Sequence, residues 1–123
     1  IRVIGVQAAV VSAVYESWRS GSIETRPNMT FAEGLATGRA AQFTLSILRA
    51  HLDAFHVVDD DEIMRGMIAW IERAHTLAES AAGAVLAVAH RLREQLRGRR
   101  VALMLSGGNT SLDHLRRALA AAA

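Results

Sequence analysis

A glycine pair after a short apolar run is the first place in this 123-residue sequence where the residue types suggest chemistry. The apolar run covers residues 101–105, and it stops at Ser106-Gly107-Gly108-Asn109. Adjacent glycines let a backbone approach a ligand, and the amides at the start of a following helix attract anions. The same pattern also ends many strands that bind nothing. The turn therefore predicts a phosphate cradle or a backbone lying against a flat ligand, with a plain turn as the alternative.

Other clusters of reactive residue types have simpler explanations. The acidic run 59–62 suggests a divalent metal, but Asp59 with Glu62 three residues later is the pattern of a helix capping box. Ser106 does not lie in a GxSxG sequence, so no nucleophile elbow is indicated. The histidines show no HExxH-type ligand spacing; they are His51, His56, His75, His90 and His114. We therefore expect no metal site and no hydrolytic triad.

The composition excludes several functions. The sequence contains no lysine and no cysteine, so the chain cannot itself form a lysine Schiff base, a disulfide or a thiolate zinc site. The net charge is +2, and the arginines cluster only at residues 97–100 and 116–117, without interleaved aromatics. No apolar stretch reaches the roughly 20 residues of a membrane helix. We expect no nucleic-acid binding, no membrane span and a cytoplasmic location, which the lack of cysteine permits.

Predicted strands and helices, which must position this turn, alternate along the chain. Short apolar runs at residues 3–6, 54–58 and 101–105 predict strands covered on both faces. Helical spacing predicts helices over residues 10–18, 41–52, 60–75 and 80–97. This alternation predicts an α/β fold with an open, mainly parallel sheet and flanking helices, in a single domain over residues 1–123. Ligands of such sheets lie beyond the carboxyl ends of the strands, where Ser106 is expected.

Five sequence stretches, taken in order, resemble a known family. They are VIGVQ at 3–7, FAEGLA at 31–36, DDDEI at 59–63, AESAAGAVLA at 78–87 and LSGGN at 105–109. Together they resemble the C-terminal part of the pyridoxal-phosphate-dependent serine/threonine dehydratases, also called threonine ammonia-lyases. The resemblance implies the fold of the tryptophan synthase β subunit, with this chain as the C-terminal half of the large domain. It also implies pyridoxal phosphate as cofactor and an amino acid, threonine or serine, as substrate.

The resemblance implies roles for four residues. Ser106 would hydrogen-bond the ring nitrogen of the cofactor, and Gly107 would tighten the turn. Gly34 would offer backbone beside the cofactor's face, and Glu79 would lie near the ring, although an acid beside a helix start needs no ligand. A neutral hydroxyl cannot stabilise a protonated ring nitrogen as an aspartate does. We therefore expect a weaker electron sink, which suits elimination of a β-hydroxyl.

The chain also departs from the family pattern. Where many relatives have Glu-Pro after the first strand, this sequence has Gln7-Ala8, and a neutral amide is a poorer ligand for a divalent cation. The metal site of some relatives is therefore not expected here. The family's Schiff-base lysine and phosphate loop belong to sequence that would precede Ile1. We therefore expect a fragment that begins within the fold and is inactive alone.

The leading hypothesis is that this chain belongs to a homo-oligomeric lyase that deaminates threonine or serine to a 2-oxo acid and ammonia. A related racemase or another β-eliminase would fit the same motifs. A second hypothesis is a noncatalytic fragment, or assembly module, whose edges pair with a copy of itself or with the missing half. A third is a phosphate- or nucleotide-binding module that uses Gly107 and Gly108. No regulatory domain is expected after Asn109.

Overall fold

The sheet of the molecule consists of two parallel strands. A computed structural model describes residues 1–122. Strands β1 (Ile4–Ala8) and β2 (Ala54–Val58) pair in parallel, with Ile4 opposite Ala54 and Ala8 opposite Val58. Parallel strands need a long crossover, and the helical segment between residues 9 and 51 provides it. The predicted α/β class and the first two predicted strands are confirmed.

The four predicted helices are present with small shifts at their ends, and one further helix covers Leu112–Ala122. The helices are α1 (Ala13–Ser20), α2 (Gln42–His51), α3 (Asp60–Ala74), α4 (Ser80–Arg91), α5 (Arg93–Leu96) and α6 (Leu112–Ala122). The predicted helix over 80–97 is divided at Leu92, and Gly98 follows it with a φ of 72°. Short 3-10 turns occur at Ala9–Val11 and Glu33–Leu35. None of the helices within residues 1–122 has the length and apolarity that a bilayer span requires.

The third predicted strand, over residues 101–105, is wrong for the described part of the chain. This segment has no regular secondary structure and no strand beside it, and both Val101 and Met104 are exposed. An apolar run shows that a segment can be buried, but a strand also needs a neighbour with free backbone groups. Within residues 1–122, β1 and β2 pair only with each other. The segment therefore reaches Ser106 as an unpaired connection.

The start of α3 confirms the capping box predicted from the acidic run. The Asp59 side chain accepts a hydrogen bond from the Glu62 amide (2.7 Å), and the Glu62 side chain accepts one from the Asp59 amide (3.0 Å). These bonds satisfy two amides that have no partner within the helix. The helix ends at His75, whose φ of 52° stops further helical growth. The acids therefore serve helix initiation.

Helices α3 and α4 form the tightest contact of the fold. A Cβ added to Gly66 would lie 2.1 Å from the Gly83 carbonyl oxygen, and a Cβ added to Gly83 would lie 2.4 Å from the Ile63 carbonyl oxygen. The Trp70 indole also donates to the Ala82 carbonyl oxygen across this contact (2.8 Å). The small residues of α4 therefore allow another backbone to approach, which fixes the position of the α4 start.

The main core lies between the sheet and α4. Its fully buried side chains include Val11, Val58, Ile63 and Ala84. Val88 extends the same cluster along α4. Burial of each valine or isoleucine side chain stabilises the fold by about 1.5–3 kcal/mol. The N-terminal end of α4 is thus held by the sheet on one side and by α3 on another.

Candidate functional site

The start of α4 and the glycine turn come together in the structure. The Ser106 hydroxyl donates a hydrogen bond of 2.7 Å to the Oε1 atom of Glu79. The two residues are 27 positions apart in the sequence. Ser106 is exposed, and Glu79 is half-buried at the N-cap position of α4. The structure thus places an accessible hydroxyl and a carboxylate side by side.

The backbone holds the same two segments in register. The Glu79 amide donates to the Gly107 carbonyl oxygen at 2.9 Å. A Cβ on Gly107 would lie 2.7 Å from Glu79 Oε2, and a Cβ on Gly108 would lie 3.0 Å from the Leu77 carbonyl oxygen. Glycine at both positions therefore allows the turn to lie directly against the residues that precede α4.

A pocket of about 190 Å³ opens beside this pair. It is lined by Glu33, Gly34, Glu79, Ser80, Asn109 and His114. Ligand pockets usually have volumes of about 300–1,000 Å³. The pocket can therefore form only part of the wall of a site for a cofactor with its substrate. The carboxylates of Glu33 and Glu79 on this wall favour binding of a cationic group.

Gly34 lies in this wall, but its position has an explanation within the chain. A Cβ added there would lie 2.9 Å from the Ala81 Cβ atom and 3.9 Å from Glu79 Oε1. The glycine therefore allows the Glu33–Leu35 turn to approach α4 closely. Contact of the Gly34 backbone with a cofactor stays a prediction.

His114 belongs to the site, although the sequence patterns did not indicate it. The sequence indicates only a histidine near the start of a helix. In the structure, α6 places His114 in the pocket wall, and its ring lies 5.4 Å from the Phe31 ring, edge to face. The Arg117 guanidinium lies over the same Phe31 ring, 5.0 Å from its centroid. The available signal was the position of His114 on the first turn of an amphipathic helix that follows Asn109 closely.

Gln7 is not among the residues that line this pocket, and its side chain joins three chain segments. Its Oε1 atom accepts hydrogen bonds from the Val14 amide (3.1 Å) and the Tyr15 amide (3.0 Å), and its Nε2 atom donates to the Thr37 carbonyl oxygen (3.2 Å). The side chain is buried, with 4% of its surface exposed. Its oxygen is therefore already occupied by two amides of α1. No cluster of three or more metal-ligating side chains is present in residues 1–122.

The comparison with known proteins defines the class of this protein. The sequence model of the family described as "pyridoxal-phosphate dependent enzyme" matches residues 1–107. The chain belongs to this family, and the resemblance stated from the motifs is confirmed. Enzymes of this family depend on pyridoxal phosphate, so the predicted cofactor is confirmed as well.

Three relatives show which enzymes of this family the chain is similar to. The catabolic L-threonine dehydratase of Escherichia coli K12 is 35% identical over 118 residues, which cover 94% of this chain and 36% of that protein. The crystal structure of threonine deaminase from "T.th." is similar with a TM-score of 0.81 and 26% identity, covering 90% of this chain and 41% of that one. The structure of maize serine racemase is similar with a TM-score of 0.82 and 25% identity, covering 98% and 39%. The chain thus spans roughly two fifths or less of the length of these relatives.

The residues of the site fit the cofactor of this family. The Ser106 hydroxyl is exposed and can meet a polar atom of a flat group, while the missing side chains at Gly107 and Gly108 let the turn lie against Glu79 and Leu77. The amide of Glu79 is already bonded to Gly107, so it does not offer a free donor to a phosphate. Contact of this turn with the ring of the cofactor stays a prediction.

Proposed function

We propose that this chain is the C-terminal part of a pyridoxal-phosphate-dependent lyase that converts threonine or serine to a 2-oxo acid and ammonia. The observation that carries the proposal is the meeting of Ser106 and Glu79 in a chain of this family. The E. coli relative, which covers 94% of the chain at 35% identity, is a threonine dehydratase, and this supports threonine as substrate.

The residues of this chain would hold the ring end of the cofactor. Ser106 would meet the ring nitrogen, and Gly107 would keep the turn tight against Glu79. Glu79 would fix the Ser106 hydroxyl through their hydrogen bond of 2.7 Å. When bound, pyridoxal phosphate supplies the electron sink for breaking a bond at the α-carbon of an amino acid. The lysine and the phosphate site would come from outside these 123 residues, which contain no lysine.

The test is the release of products by the intact protein. It would be supplied with pyridoxal phosphate and with L-threonine or L-serine, and the 2-oxo acid and ammonia would be assayed together. We expect equal amounts of the two products. If no hydroxy amino acid in a broad panel gives a 2-oxo acid, the lyase proposal is wrong.

A matched pair of serine variants tests the assignment of the site. Ser106→Ala should lower kcat/KM by up to about tenfold, because a hydrogen bond between neutral groups is worth about 0.5–1.5 kcal/mol. Ser46→Ala is the control, since Ser46 is an exposed residue of α2 whose hydroxyl donates to the Phe43 carbonyl oxygen. Equal activities of the two variants would remove Ser106 from the proposed site.

Serine racemisation is the second candidate, favoured by the similarity of the fold to maize serine racemase. Both reactions need the same cofactor and the same loss of a proton from the α-carbon. Chiral analysis of serine after incubation with the intact protein separates them. Formation of D-serine without pyruvate would favour the racemase.

The isolated 123 residues should bind no pyridoxal phosphate covalently, so a mixture should keep the absorption spectrum of free cofactor.

The intact protein should be a homo-oligomer, which sedimentation would measure. A location in the cytoplasm is expected, and fractionation of the source cells would test it.

A further inference from the structure

Gln7 is a buried polar side chain near the end of β1, and other parts of the chain satisfy both ends of its amide group. Its Oε1 atom accepts hydrogen bonds from the amides of Val14 and Tyr15, at 3.1 and 3.0 Å. Its Nε2 atom donates to the Thr37 carbonyl oxygen at 3.2 Å. The reverse orientation would set the NH₂ group against two N–H donors. These partners therefore fix which end of the amide group faces α1.

This side chain does not fit a metal ion. Some relatives have a metal site, and many have Glu-Pro, where this chain has Gln7-Ala8. A cation binds oxygen atoms with free lone pairs, but Gln7 Oε1 already accepts from two amides, and the Thr37 carbonyl oxygen accepts from Nε2. The hydrogens on Nε2 also carry partial positive charge. Gln7 therefore excludes a cation from the space between its side chain and Thr37.

A carboxylate at position 7 would behave differently. It could accept from the same two amides, but its second oxygen atom would lie beside the Thr37 carbonyl oxygen, and neither of these atoms has a hydrogen to donate. Burial of polar groups without a partner is costly. A metal cation between the two oxygen atoms would remove this cost, since carboxylate and backbone carbonyl oxygens are ligands of Ca²⁺. The Nε2–H group of Gln7 satisfies the same carbonyl oxygen without a cation.

The Thr37 carbonyl group matters because it ends the segment that contains the Glu33–Leu35 turn. This turn contributes two residues to the wall of the pocket. On its N-terminal side the Thr30 hydroxyl donates to Asp60 Oδ1 at 2.9 Å, which ties the segment to α3. On its C-terminal side the hydrogen bond from Gln7 ties the segment to β1. Side-chain hydrogen bonds therefore hold the chain on both sides of the turn.

We propose that the amide group of Gln7 takes the place of a metal cation at the junction of β1, α1 and the segment that ends at Thr37. Nε2–H supplies the partial positive charge beside the Thr37 carbonyl oxygen. Oε1 supplies the acceptor for two amides in the first turn of α1, which have no partner within the helix. The position of this part of the pocket wall then does not depend on a bound ion. The inference is independent of the proposed reaction, so either can fail without the other.

Urea unfolding of the intact protein tests the role of the wild-type side chain. Unfolding would be followed in EDTA, in CaCl₂ and in KCl, with the ionic strength equalised by tetramethylammonium chloride. Gln7→Met keeps a similar size but makes none of the three hydrogen bonds, so its midpoint should lie at lower urea than that of the wild type. We expect the same difference between the two proteins in all three solutions. A difference that grows in CaCl₂ or KCl would overturn the inference, and so would equal midpoints.

Gln7→Glu tests the exchange from the other direction. In EDTA at neutral pH its midpoint should lie below that of the wild type, and CaCl₂ or KCl should restore most of the loss. Lowering the pH should also reduce the loss, because a protonated carboxyl group can donate to the Thr37 carbonyl oxygen as Nε2 does. Gln95→Glu, at an exposed position of α5, is the control and should show no such dependence.

A loss in Gln7→Glu that neither cations nor low pH reduces would contradict the inference. If Gln7→Glu does not fold, the comparison of the wild type with Gln7→Met still decides it.

Discussion

The α3–α4 contact and the turn at residues 106–109 both depend on glycine, but what surrounds the glycines differs. An added Cβ at Gly66 would meet the Gly83 carbonyl oxygen at 2.1 Å, which is backbone within a rigid helix. An added Cβ at Gly107 would meet the Glu79 carboxylate at 2.7 Å, which is the end of a flexible side chain. The first obstacle cannot move without separating two helices, whereas the second can rotate away. The same residue type therefore serves stability in one region and side-chain placement in the other.

The largest effect should follow from filling the backbone contact. Gly66→Ala should lower the free energy of unfolding by about 3 kcal/mol or more, because overpacking usually costs 1–3 kcal/mol and here the obstacle is a carbonyl oxygen. Urea unfolding of the intact protein measures this. Gly98→Ala is the control, since nothing lies within 4 Å of its added Cβ. Only its φ of 72° would cost stability there, about 1–2 kcal/mol.

A smaller effect is expected where the Glu33–Leu35 turn meets α4. Gly34→Ala should lower the free energy of unfolding by about 1–2 kcal/mol, because its Cβ would lie 2.9 Å from the Ala81 Cβ atom. The double variant Gly34→Ala, Ala81→Gly removes that contact and should recover part of the loss, less about 1 kcal/mol for glycine in a helix. Additive losses in the double variant would show that the two residues do not compete for this space.

A third effect on stability depends on pH and concerns Glu62, in the first turn of α3. Burial raises the pKa of Glu62, but its hydrogen bonds with Arg91 and with the Asp59 amide, together with the nearby positive charge of Arg91, outweigh this and lower the pKa overall. A carboxyl with a lowered folded-state pKa contributes stability above its ordinary pKa and loses it as the pH falls through the lowered value.

Glu62→Gln should therefore cost under about 1 kcal/mol at neutral pH, in the range of partly exposed ion pairs. The difference from the wild-type protein in urea unfolding should shrink as the pH is lowered below the ordinary pKa of a carboxyl group. A difference that stays constant over this range would exclude the charge of Glu62 as the cause.

The smallest effect on stability is expected at the turn. Gly107→Ala should change the free energy of unfolding by less than about 0.5 kcal/mol, since only the Glu79 carboxylate must move. The affinity of the intact protein for pyridoxal phosphate should fall about tenfold, because the Ser106–Glu79 hydrogen bond is lost. Gly108→Ala is the comparison at the neighbouring position, where the Cβ would meet the Leu77 carbonyl oxygen at 3.0 Å. It should lower stability more than Gly107→Ala does.

Most strands and helices of the fold could be predicted from local sequence patterns. The capping box at Asp59 is specified by four consecutive residues, and the strand at Ala54–Val58 by five. Such features depend on neighbours in the sequence, so they can be recognised without the fold. The strand expected at residues 101–105 failed for the opposite reason, because pairing depends on a partner elsewhere.

The candidate site was predicted as a set of residues but not as a set of contacts. The motifs named Ser106, Glu79, Gly107 and Gly34, and the structure brings them to the start of α4. The Ser106–Glu79 hydrogen bond could not be predicted, because the two residues are 27 positions apart and meet through the backbone contact of Glu79 with Gly107. Neither could the contact of Gly34 with Ala81, which gives a reason for glycine within the chain, while a contact with the cofactor stays a prediction.

The buried side chain at the end of β1 has a consequence for how this corner of the fold tolerates charge. The Gln7 amide accepts from two α1 amides and donates to the Thr37 carbonyl oxygen, so all three segments are joined by a group with no net charge. A glutamate there would keep the acceptor but place an anionic oxygen against the Thr37 carbonyl oxygen. The two oxygens would repel each other unless a counterion lay between them. Glutamine makes the same junction self-sufficient, and the corner can close without recruiting anything from the solvent.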